Sequence, residues 1–208
     1  MPCIGGAISR DIKHSIIPYL DNIEPLAARI QSVNTVIVLE GRLNGFNTDA
    51  MGFRHAIVNG LKKVTAQSAV CYGYGGVASV VTSVLGELGL TVYITGRNTE
   101  TAATRAAELG VHLWEGQGVD LFVNATPASE SPLEQAPHFL DALASCKIVF
   151  DHEMPGKYLQ EHCSKVGVLH IPGLDMYYPQ MQEQWKLFLE GIADADSVAA
   201  LLQQAEPK

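Results

Sequence analysis

The chain has 208 residues, of which 47% are hydrophobic and 17% charged, so it can bury a core and form one or two globular domains. Its formal net charge of -8 argues against nucleic acid and anionic membranes as partners, because binding to phosphates requires a basic face. No apolar run reaches the roughly 18 residues of a membrane span, and the first residues lack a signal-peptide pattern, so we expect a cytoplasmic protein.

The cysteines and histidines form no metal-binding pattern. The four cysteines share no CxxC spacing, and two of them, Cys71 and Cys146, fall within predicted strands. All four are interpreted as reduced, mostly buried thiols. The seven histidines form no HxxxH or HExxH pair. We therefore predict neither a disulfide framework nor a metal site.

The front of the chain, residues 1–48, predicts too few elements for a complete domain. Residues 12–20 are apolar and helix-like but are interrupted by a proline, and a second short helix is predicted to begin at Pro25. Residues 35–46 then predict a β-hairpin. Because two strands and a broken helix bury little apolar surface, this segment is expected to need neighbours, within the chain or outside it.

The rest of the chain alternates between strands and helices. A helix capped by residues 47–49 is predicted to run through Asn59, with Gly60 as its stop. The predicted strands that follow are residues 69–72, 91–95, 120–124, 147–150 and 168–171, and the predicted helices are residues 77–88, 99–109, 158–166, 178–189 and 197–204. This alternation predicts an α/β fold with a Rossmann-type doubly wound parallel sheet.

A glycine-rich turn joins the first of these strands to an apolar helix face. In this context Gly73 permits a tight turn, Gly75 lets a pyrophosphate approach the backbone, and Ala78 allows the helix to pack closely on the strand. The free N–H groups at the start of the helix would face the phosphate. The pattern predicts dinucleotide binding, with a purely structural turn as the alternative. The cofactor-binding residues predicted in this turn are Gly73, Tyr74, Gly75, Gly76 and Val77.

The end of the next strand indicates which dinucleotide is bound. An NAD site is expected to have an acidic residue there, about 20 residues beyond the glycines, to bind the ribose 2′-hydroxyl. This chain has Gly96-Arg97-Asn98 instead. Arg97 can form a bidentate pair with a 2′-phosphate, although it could also be a solvated loop arginine. NADP is therefore predicted, with NAD as the alternative cofactor.

Four further segments carry motifs. Residues 32–36 read Ser-Val-Asn-Thr-Val, and residues 45–53 read Gly-Phe-Asn-Thr-Asp-Ala-Met-Gly-Phe. Residues 124–127 read Asn-Ala-Thr-Pro, and residues 173–176 read Gly-Leu-Asp-Met, followed by Gln180. In this order and around a dinucleotide fingerprint, these segments resemble the motifs of the shikimate dehydrogenase family over nearly the whole chain.

The resemblance implies roles for individual residues. The family's catalytic lysine falls on Lys13 and its catalytic aspartate on Asp49. A lysine beside a carboxylate can position a hydroxyl and stabilise the alkoxide charge that develops as hydride leaves carbon. Without the resemblance, Lys13 would be interpreted as a surface lysine and Asp49 as a helix cap. The resemblance also implies substrate binding by Ser9, Asn34 and Gln180, and cofactor binding by Asn124, Ala125, Thr126 and Gly173.

Several positions depart from the family pattern. The family's proline before the lysine is Asp11 here, and its threonine is Ser9. Met154 stands where a tyrosine is expected, and Gly96 replaces an asparagine. These differences favour the shikimate dehydrogenase-like branch of the family, whose members are generally weak oxidisers of shikimate.

The largest departure concerns the family's first strand–helix units, including the Ser-x-Ser motif that binds the substrate carboxylate. They have no counterpart here, so the chain is expected to be a fragment of a longer protein or a shortened relative with half a substrate site. The hairpin and residues 4–8 would then normally pair with strands that the chain lacks, so an exposed apolar edge is expected to make it form a homodimer or bind a hydrophobic dye. The implied domains are the C-terminal part of a truncated α/β substrate domain (1–48), a linking helix (49–60), an NADP-binding Rossmann domain (61–175) and C-terminal helices returning toward the substrate domain (176–208).

Two classes of function follow from these observations. The first is an NADP-dependent oxidoreductase of aromatic amino acid biosynthesis that interconverts shikimate and 3-dehydroshikimate, or acts on a related cyclic hydroxy acid such as quinate. The second is a nucleotide-binding sensor or regulatory module with little catalysis, which the missing carboxylate anchor would explain. The joint presence of Lys13, Asn34, Asp49 and Gln180 favours the first class.

Overall fold

A computed structural model describes residues 4–9, 12–126, 138–154, 156–190, 193–194, 197 and 200–201. The chain divides into two compact units, one of Met1–Gly52 with Met176–Lys208 and the other of Phe53–Asp175. We call them the split unit and the central unit. The assignment of a substrate domain and an NADP-binding domain to these units stays a prediction.

The secondary structure alternates as the sequence predicted, with several differences at the ends of elements. In chain order the elements are β1 (Gly5–Ala7), β2 (Asn22–Ile23), α1 (Pro25–Ile30), β3 (Thr35–Leu39), β4 (Arg42–Phe46), α2 (Thr48–Leu61), β5 (Ser68–Tyr72), α3 (Gly76–Glu87), β6 (Thr91–Thr95), α4 (Thr99–Leu109), β7 (His112–Leu113), β8 (Leu121–Asn124), α5 (Phe139–Leu143), β9 (Ile148–Asp151), α6 (Lys157–Val166), β10 (Leu169–Pro172) and α7 (Leu174–Phe188). None of the helices in the described part of the chain has both the length and the apolar character that a membrane span requires.

The split unit contains a sheet in the order β1-β3-β4-β2. The predicted hairpin is confirmed, since β3 and β4 pair antiparallel with Thr35 opposite Phe46. Its two-residue turn has positive φ at both Glu40 (50°) and Gly41 (76°), which matches the right-handed twist of the strands. On one side of the sheet, Ala27, Val33 and Val36 form a buried cluster. The hairpin therefore finds within the chain some of the neighbours that it needs.

Three predictions for the extent of helices were wrong. The predicted helix over residues 12–20 is a series of turns ending in a short 3-10 helix, Ile17–Tyr19, because Pro18 removes a backbone donor. Helix α2 continues past Gly60, where an added Cβ would overlap the Ile171 side chain, so this glycine serves close packing and does not stop the helix. Helix α7 begins four residues earlier than predicted, and the predicted helix over residues 197–204 lies largely outside the described residues.

The central unit confirms the predicted Rossmann-type sheet. Its strands are all parallel, in the order β7-β6-β5-β8-β9-β10. Counted within the unit, this is the order 3-2-1-4-5-6 of a doubly wound dinucleotide fold, and the strand order reverses between β5 and β8. At that point Tyr72 pairs with Asn124, so the segments after both strands leave the same edge of the sheet. Ligands of such sheets bind at this edge.

Helix caps and an aromatic cluster hold the central unit together. Asn98 caps α4 by accepting from the Thr101 N–H at 2.8 Å, and Gly110 ends the helix with a φ of 67°. Phe139 contacts Tyr72 and Phe122 edge-on, with ring centroids 5.0 and 5.1 Å apart. Each fully buried phenylalanine contributes about 1.5–3 kcal/mol through removal of apolar surface from water.

The cysteines of the described residues are free and buried, as predicted. Burial raises the pKa of Cys71 to about 12 and that of Cys163 to about 11. Cys146 precedes β9 and does not lie in a strand, so that part of the prediction was wrong. Cys3 lies outside the described residues.

Asp120 joins three strands at the edge of the sheet opposite the ligand edge. Its carboxylate accepts from the Gln67 N–H at 2.8 Å and the Ser68 N–H at 3.3 Å, just before and at the start of β5. It also pairs with the Lys147 ammonium at 2.7 Å, ahead of β9. The bond from Lys147 and then the one from the Gln67 backbone hold the pKa of the Asp120 carboxyl below its usual range.

We expect Asp120→Ala to lower the free energy of unfolding at neutral pH by about 1–3 kcal/mol, because two backbone donors lose a charged acceptor. A carboxyl whose pKa is lowered in the folded state contributes stability above its unfolded pKa, and this contribution is lost as the pH falls through the folded pKa. The difference between wild type and variant should therefore shrink below about pH 4. Urea unfolding at several pH values measures it, with Asp141→Ala, which removes an exposed carboxylate, as the control. A difference that does not change with pH would contradict this role.

Candidate functional site

Lys13 and Asp49, the predicted catalytic pair, meet in the split unit. The Lys13 ammonium lies 2.5 Å from Oδ2 of Asp49, and their side chains are 26% and 17% exposed. Lys13 lies in the turns that precede α1, where its carbonyl accepts from the Val33 N–H at 2.9 Å. Asp49 lies in the first turn of α2. The pair is partly buried but still open to solvent, so a small molecule can reach it.

Asn34 holds the second oxygen of the Asp49 carboxylate. Its Nδ2 donates to Oδ1 of Asp49 at 2.9 Å, and its Oδ1 accepts from the Thr48 N–H at 2.8 Å. Since a backbone N–H can only donate, it fixes which way the Asn34 amide points. Asn34 is only 3% exposed. The described structure therefore uses Asn34, predicted as a substrate ligand, to orient Asp49.

The sequence prediction missed two residues that extend this network. The Thr35 hydroxyl donates to Oδ1 of Asn34 at 2.9 Å and accepts from Nε2 of Gln184 at 2.8 Å. Thr35 lies inside the motif of residues 32–36, so the sequence held a signal for it. Gln184 lies one helical turn beyond Gln180 on α7, a spacing that places both on one helix face.

Gln180 and Ser9, the other predicted substrate ligands, differ in placement. A Cβ added to Gly52 would lie 2.8 Å from Cβ of Gln180, so α7 packs closely against α2 three residues from Asp49. Gln180 is thus near the pair. Ser9 is exposed and contributes its carbonyl, which accepts from the Ile12 N–H at 3.1 Å. The structure does not place Ser9 in the hydrogen-bonded network around Asp49.

The glycine turn of the central unit leaves open space beside its backbone. Gly73 has a φ of +118°, and an added Cβ would lie 2.8 Å from Cγ2 of Thr126, so only glycine fits. Gly75 caps α3 without a side-chain hydrogen bond, and apart from its chain neighbours an added Cβ there or at Gly76 would have no atom of the described residues within 4 Å. The first N–H groups of α3 therefore face free space, which suits a phosphate ligand.

The segment after β8 is held by a buried carboxylate. Asn124 is fully buried, and its Nδ2 donates to Oδ1 of Asp151 at 2.9 Å. Its Oδ1 accepts from the Thr126 N–H at 3.1 Å, and the Ala125 N–H donates to the Tyr72 carbonyl at 2.9 Å. Burial raises the pKa of Asp151, and the bond from Asn124 opposes this rise.

Asn124, predicted as a cofactor ligand, thus has its amide engaged within the protein and shapes the segment 125–126. Gly173, also predicted as a cofactor ligand, packs tightly against the backbone, since an added Cβ would lie 3.0 Å from the carbonyl oxygens of Asp151 and His152. Pro127, the last residue of the motif, lies outside the described residues.

Arg97 lies beyond the end of β6 and is exposed. Burial raises the pKa of Tyr72, at the end of β5, to about 12, while the charge of Arg97 lowers it. The Thr95 carbonyl at the end of β6 accepts from the Gly73 N–H at 2.9 Å, so Arg97, two residues further on, lies beside the glycine turn. The ring of Tyr74 covers Gly96, where an added Cβ would lie 2.6 Å from the ring. Arg97 is thus an exposed cationic group beside the turn, where an anionic ligand can reach it.

Comparisons with known proteins agree with this geometry. No family model matches the chain. A shikimate dehydrogenase (NADP(+)) of Desulforamulus reducens is 36% identical over 148 residues, which cover 61% of this chain and 50% of that protein. One of Oleidesulfovibrio alaskensis is 30% identical over 200 residues, 90% of this chain and 71% of that protein. Several other curated relatives are matched over about half of their length, so the chain spans only part of them.

Solved structures show the same fold. Shikimate 5-dehydrogenase of Thermus thermophilus in complex with NADP(H) and shikimate matches with a TM-score of 0.75 and 29% identity over 97% of this chain and 79% of that one. A shikimate 5-dehydrogenase-like protein matches with a TM-score of 0.72 and 27% identity over 96% of this chain and 78% of that one. Both branches of the family are thus represented. Because a relative 30% identical is matched over 71% of its own length, the chain belongs to the shikimate dehydrogenase family.

Proposed function

We propose that this chain takes part in the NADP-dependent interconversion of shikimate and 3-dehydroshikimate, with quinate as a second candidate substrate. The observation that carries the proposal is the network in which Asp49 has one oxygen on the Lys13 ammonium and the other on the Asn34 amide. A carboxylate that served only as a helix cap would use its oxygens on backbone N–H groups at the start of α2. The names of the matched relatives support the same reaction.

The pair can perform the proton half of the reaction. Oxidation of a secondary alcohol requires a proton to leave oxygen while a hydride leaves carbon. Two of the three N–H groups of Lys13 remain after its bond to Asp49, and they can bind the substrate hydroxyl and stabilise its developing negative charge. The hydroxyl proton passes to the Asp49 carboxylate, because the Lys13 ammonium has no lone pair to accept it. NADP, when bound, accepts the hydride.

The residues of the central unit fit a dinucleotide. The open backbone at Gly75 and Gly76 and the uncapped N-terminus of α3 suit the pyrophosphate. Arg97 suits a 2′-phosphate because a guanidinium binds phosphate in a bidentate manner. These features support NADP as the cofactor.

Arg97→Ala is expected to weaken NADP binding by about 10- to 100-fold, since a charge-assisted hydrogen bond contributes roughly 1.5–3 kcal/mol. NAD binding should change little, because NAD has no 2′-phosphate. Calorimetric titration with both dinucleotides measures the two effects. Arg42→Ala, which removes an exposed arginine of the split unit, is the control for the change in net charge. An equal loss of affinity for both dinucleotides would remove Arg97 from the 2′-phosphate site.

The function itself is tested by following NADPH formation with shikimate and with quinate, each with NADP and with NAD. Turnover of shikimate with NADP supports the proposal, and a preference for quinate changes only the substrate. Tight NADP binding without turnover of either acid would instead favour the nucleotide-binding sensor or regulatory module. If the source gene encodes residues upstream of this chain, the same assay on the extended protein tests whether they supply the carboxylate anchor.

A further inference from the structure

A chain of buried hydrogen bonds connects α7 to the proposed catalytic pair. Gln184 donates to Thr35, Thr35 donates to Asn34, and Asn34 donates to Asp49, with donor–acceptor distances of 2.8, 2.9 and 2.9 Å. Asp49 in turn binds the Lys13 ammonium. Gln184, Thr35 and Asn34 are 7%, 0% and 3% exposed, so water has little access to these bonds. A buried polar group without its partner is costly, so each bond constrains the next.

In this series of hydrogen bonds, each group donates to the next one toward Asp49. A hydroxyl has a single hydrogen, and the Thr35 oxygen accepts from Nε2 of Gln184. The hydrogen of Thr35 is therefore free to point at Oδ1 of Asn34. With Oδ1 engaged by Thr35 and by the Thr48 N–H, the Nδ2 group of Asn34 is directed at Asp49. The opposite amide orientation would place the Asn34 oxygen against the Asp49 carboxylate.

We infer that Gln184 is a positioning residue of the proposed dehydrogenase. By donating to Thr35 it sets the direction of the Thr35 hydroxyl, which acts together with the Thr48 N–H to keep the Asn34 amide donating to Asp49 and so holds the carboxylate on Lys13. The inference rests on the proposed function for its effect on turnover. It differs from the substrate-binding role expected of Gln180, because Gln184 acts through two protein side chains.

Two substitutions of similar size separate this role from a direct substrate contact. Gln184→Met removes the donor, but the Thr35 hydroxyl can still donate to Asn34, so kcat should fall less than about 10-fold. Gln184→Glu, when ionised, only accepts, so it draws the Thr35 hydrogen away from Asn34. We expect this variant to lower kcat at neutral pH by about 100-fold, with an unchanged KM for NADP.

The glutamate variant also gives a pH signature. Burial raises the pKa of a carboxyl, and a protonated carboxyl can donate to Thr35 as the glutamine does. The kcat of Gln184→Glu relative to wild type should therefore recover as the pH is lowered, while that of Gln184→Met should not. Charged groups of the described residues near this position include Lys13 and Asp49, at the far end of the series of hydrogen bonds, and the Glu183–Lys186 pair on α7. They are common to all variants, so they do not produce the difference.

Nuclear magnetic resonance of the Asn34 side-chain amide provides a readout that does not need turnover. Its resonances should move in Gln184→Glu and return toward the wild-type positions at low pH. Gln182→Glu, which adds the same charge two residues away on α7, is the matched control and should leave them in place. If wild type does not oxidise shikimate or quinate but the resonances move as described, the positioning role holds and the proposed function fails.

The opposite results would overturn the inference. If wild type is active but both Gln184 variants lower kcat equally at all pH values, or raise only the KM for shikimate, Gln184 is a structural residue or a substrate ligand. Should Gln184→Glu fail to fold, Thr35→Val provides the same test. Once the Thr35 hydroxyl is gone, adding Gln184→Met should lower kcat no further, and Thr35→Ser should restore most of it. Additive losses in the double variant would also contradict a role that passes through Thr35.

Discussion

Lys13→Met is expected to lower kcat by roughly 100-fold or more, with little change in NADP affinity. Methionine keeps an unbranched side chain of similar length but lacks the ammonium that lies 2.5 Å from Asp49. The substrate hydroxyl then loses its donor, and the alkoxide charge develops without compensation. Steady-state kinetics and calorimetric titration with NADP, on the same preparations, separate the two effects. Lys63→Met, the same change at an exposed lysine, is the control.

Asp49→Asn should have a similar effect on kcat, because it keeps the shape of the side chain but removes the charge that holds the Lys13 ammonium. The double variant should be scarcely slower than either single variant, since groups that act as a unit are not additive. If the loss of kcat in the double variant equals the product of the two single losses, the two residues act separately. A single variant that keeps wild-type kcat would show that its residue is only a surface lysine or a helix cap.

The local sequence predicted the elements that it determines by itself. The helix α4 has its own cap at Asn98 and its own terminating glycine, so both ends were predicted correctly. The hairpin was predicted for the same reason, because Glu40-Gly41 fits its turn. The partner of β1 was predicted wrongly. Residues 4–8 were expected to pair with strands that the chain lacks, but β1 pairs with β3, about thirty positions away in sequence. Gly60 was misjudged because its role comes from Ile171.

The contrast between local and distant sequence information also explains the predictions for the site. Lys13 and Asp49 were identified through family motifs, which carry information that periodicity and composition do not. Gln184 and Thr35 are 149 residues apart in sequence, and no local pattern links them. Asn124 is still predicted to contact the cofactor, and the structure adds that its amide donates to Asp151, 27 residues further on. A motif can thus identify an important residue without showing which of its atoms are free for a ligand.

The two glycines of the dinucleotide turn have different roles that one substitution can separate. At Gly73 a side chain would meet Thr126 and would require a strained backbone at a φ of +118°, so Gly73→Val should destabilise the fold. At Gly75 the backbone is extended, with a φ of -73° and a ψ of -168°, which any residue adopts. In the described part of the chain, no atom beyond the neighbouring residues lies within 4 Å of an added Cβ there, so the described fold does not require glycine at this position.

Gly75→Val is therefore expected to abolish dinucleotide binding in a protein that remains folded. The side chain would occupy the space beside the backbone where the pyrophosphate must lie, and a loss of roughly 100-fold or more corresponds to about 3 kcal/mol. Unfolding should change by only about 1 kcal/mol, because valine is a poorer helix cap than glycine. Calorimetric titration with NADP and NAD, together with thermal unfolding, measures both quantities. Gly86→Val, the same substitution at the exposed far end of α3, should bind NADP as wild type does. Normal NADP binding by Gly75→Val would mean that this turn is only structural.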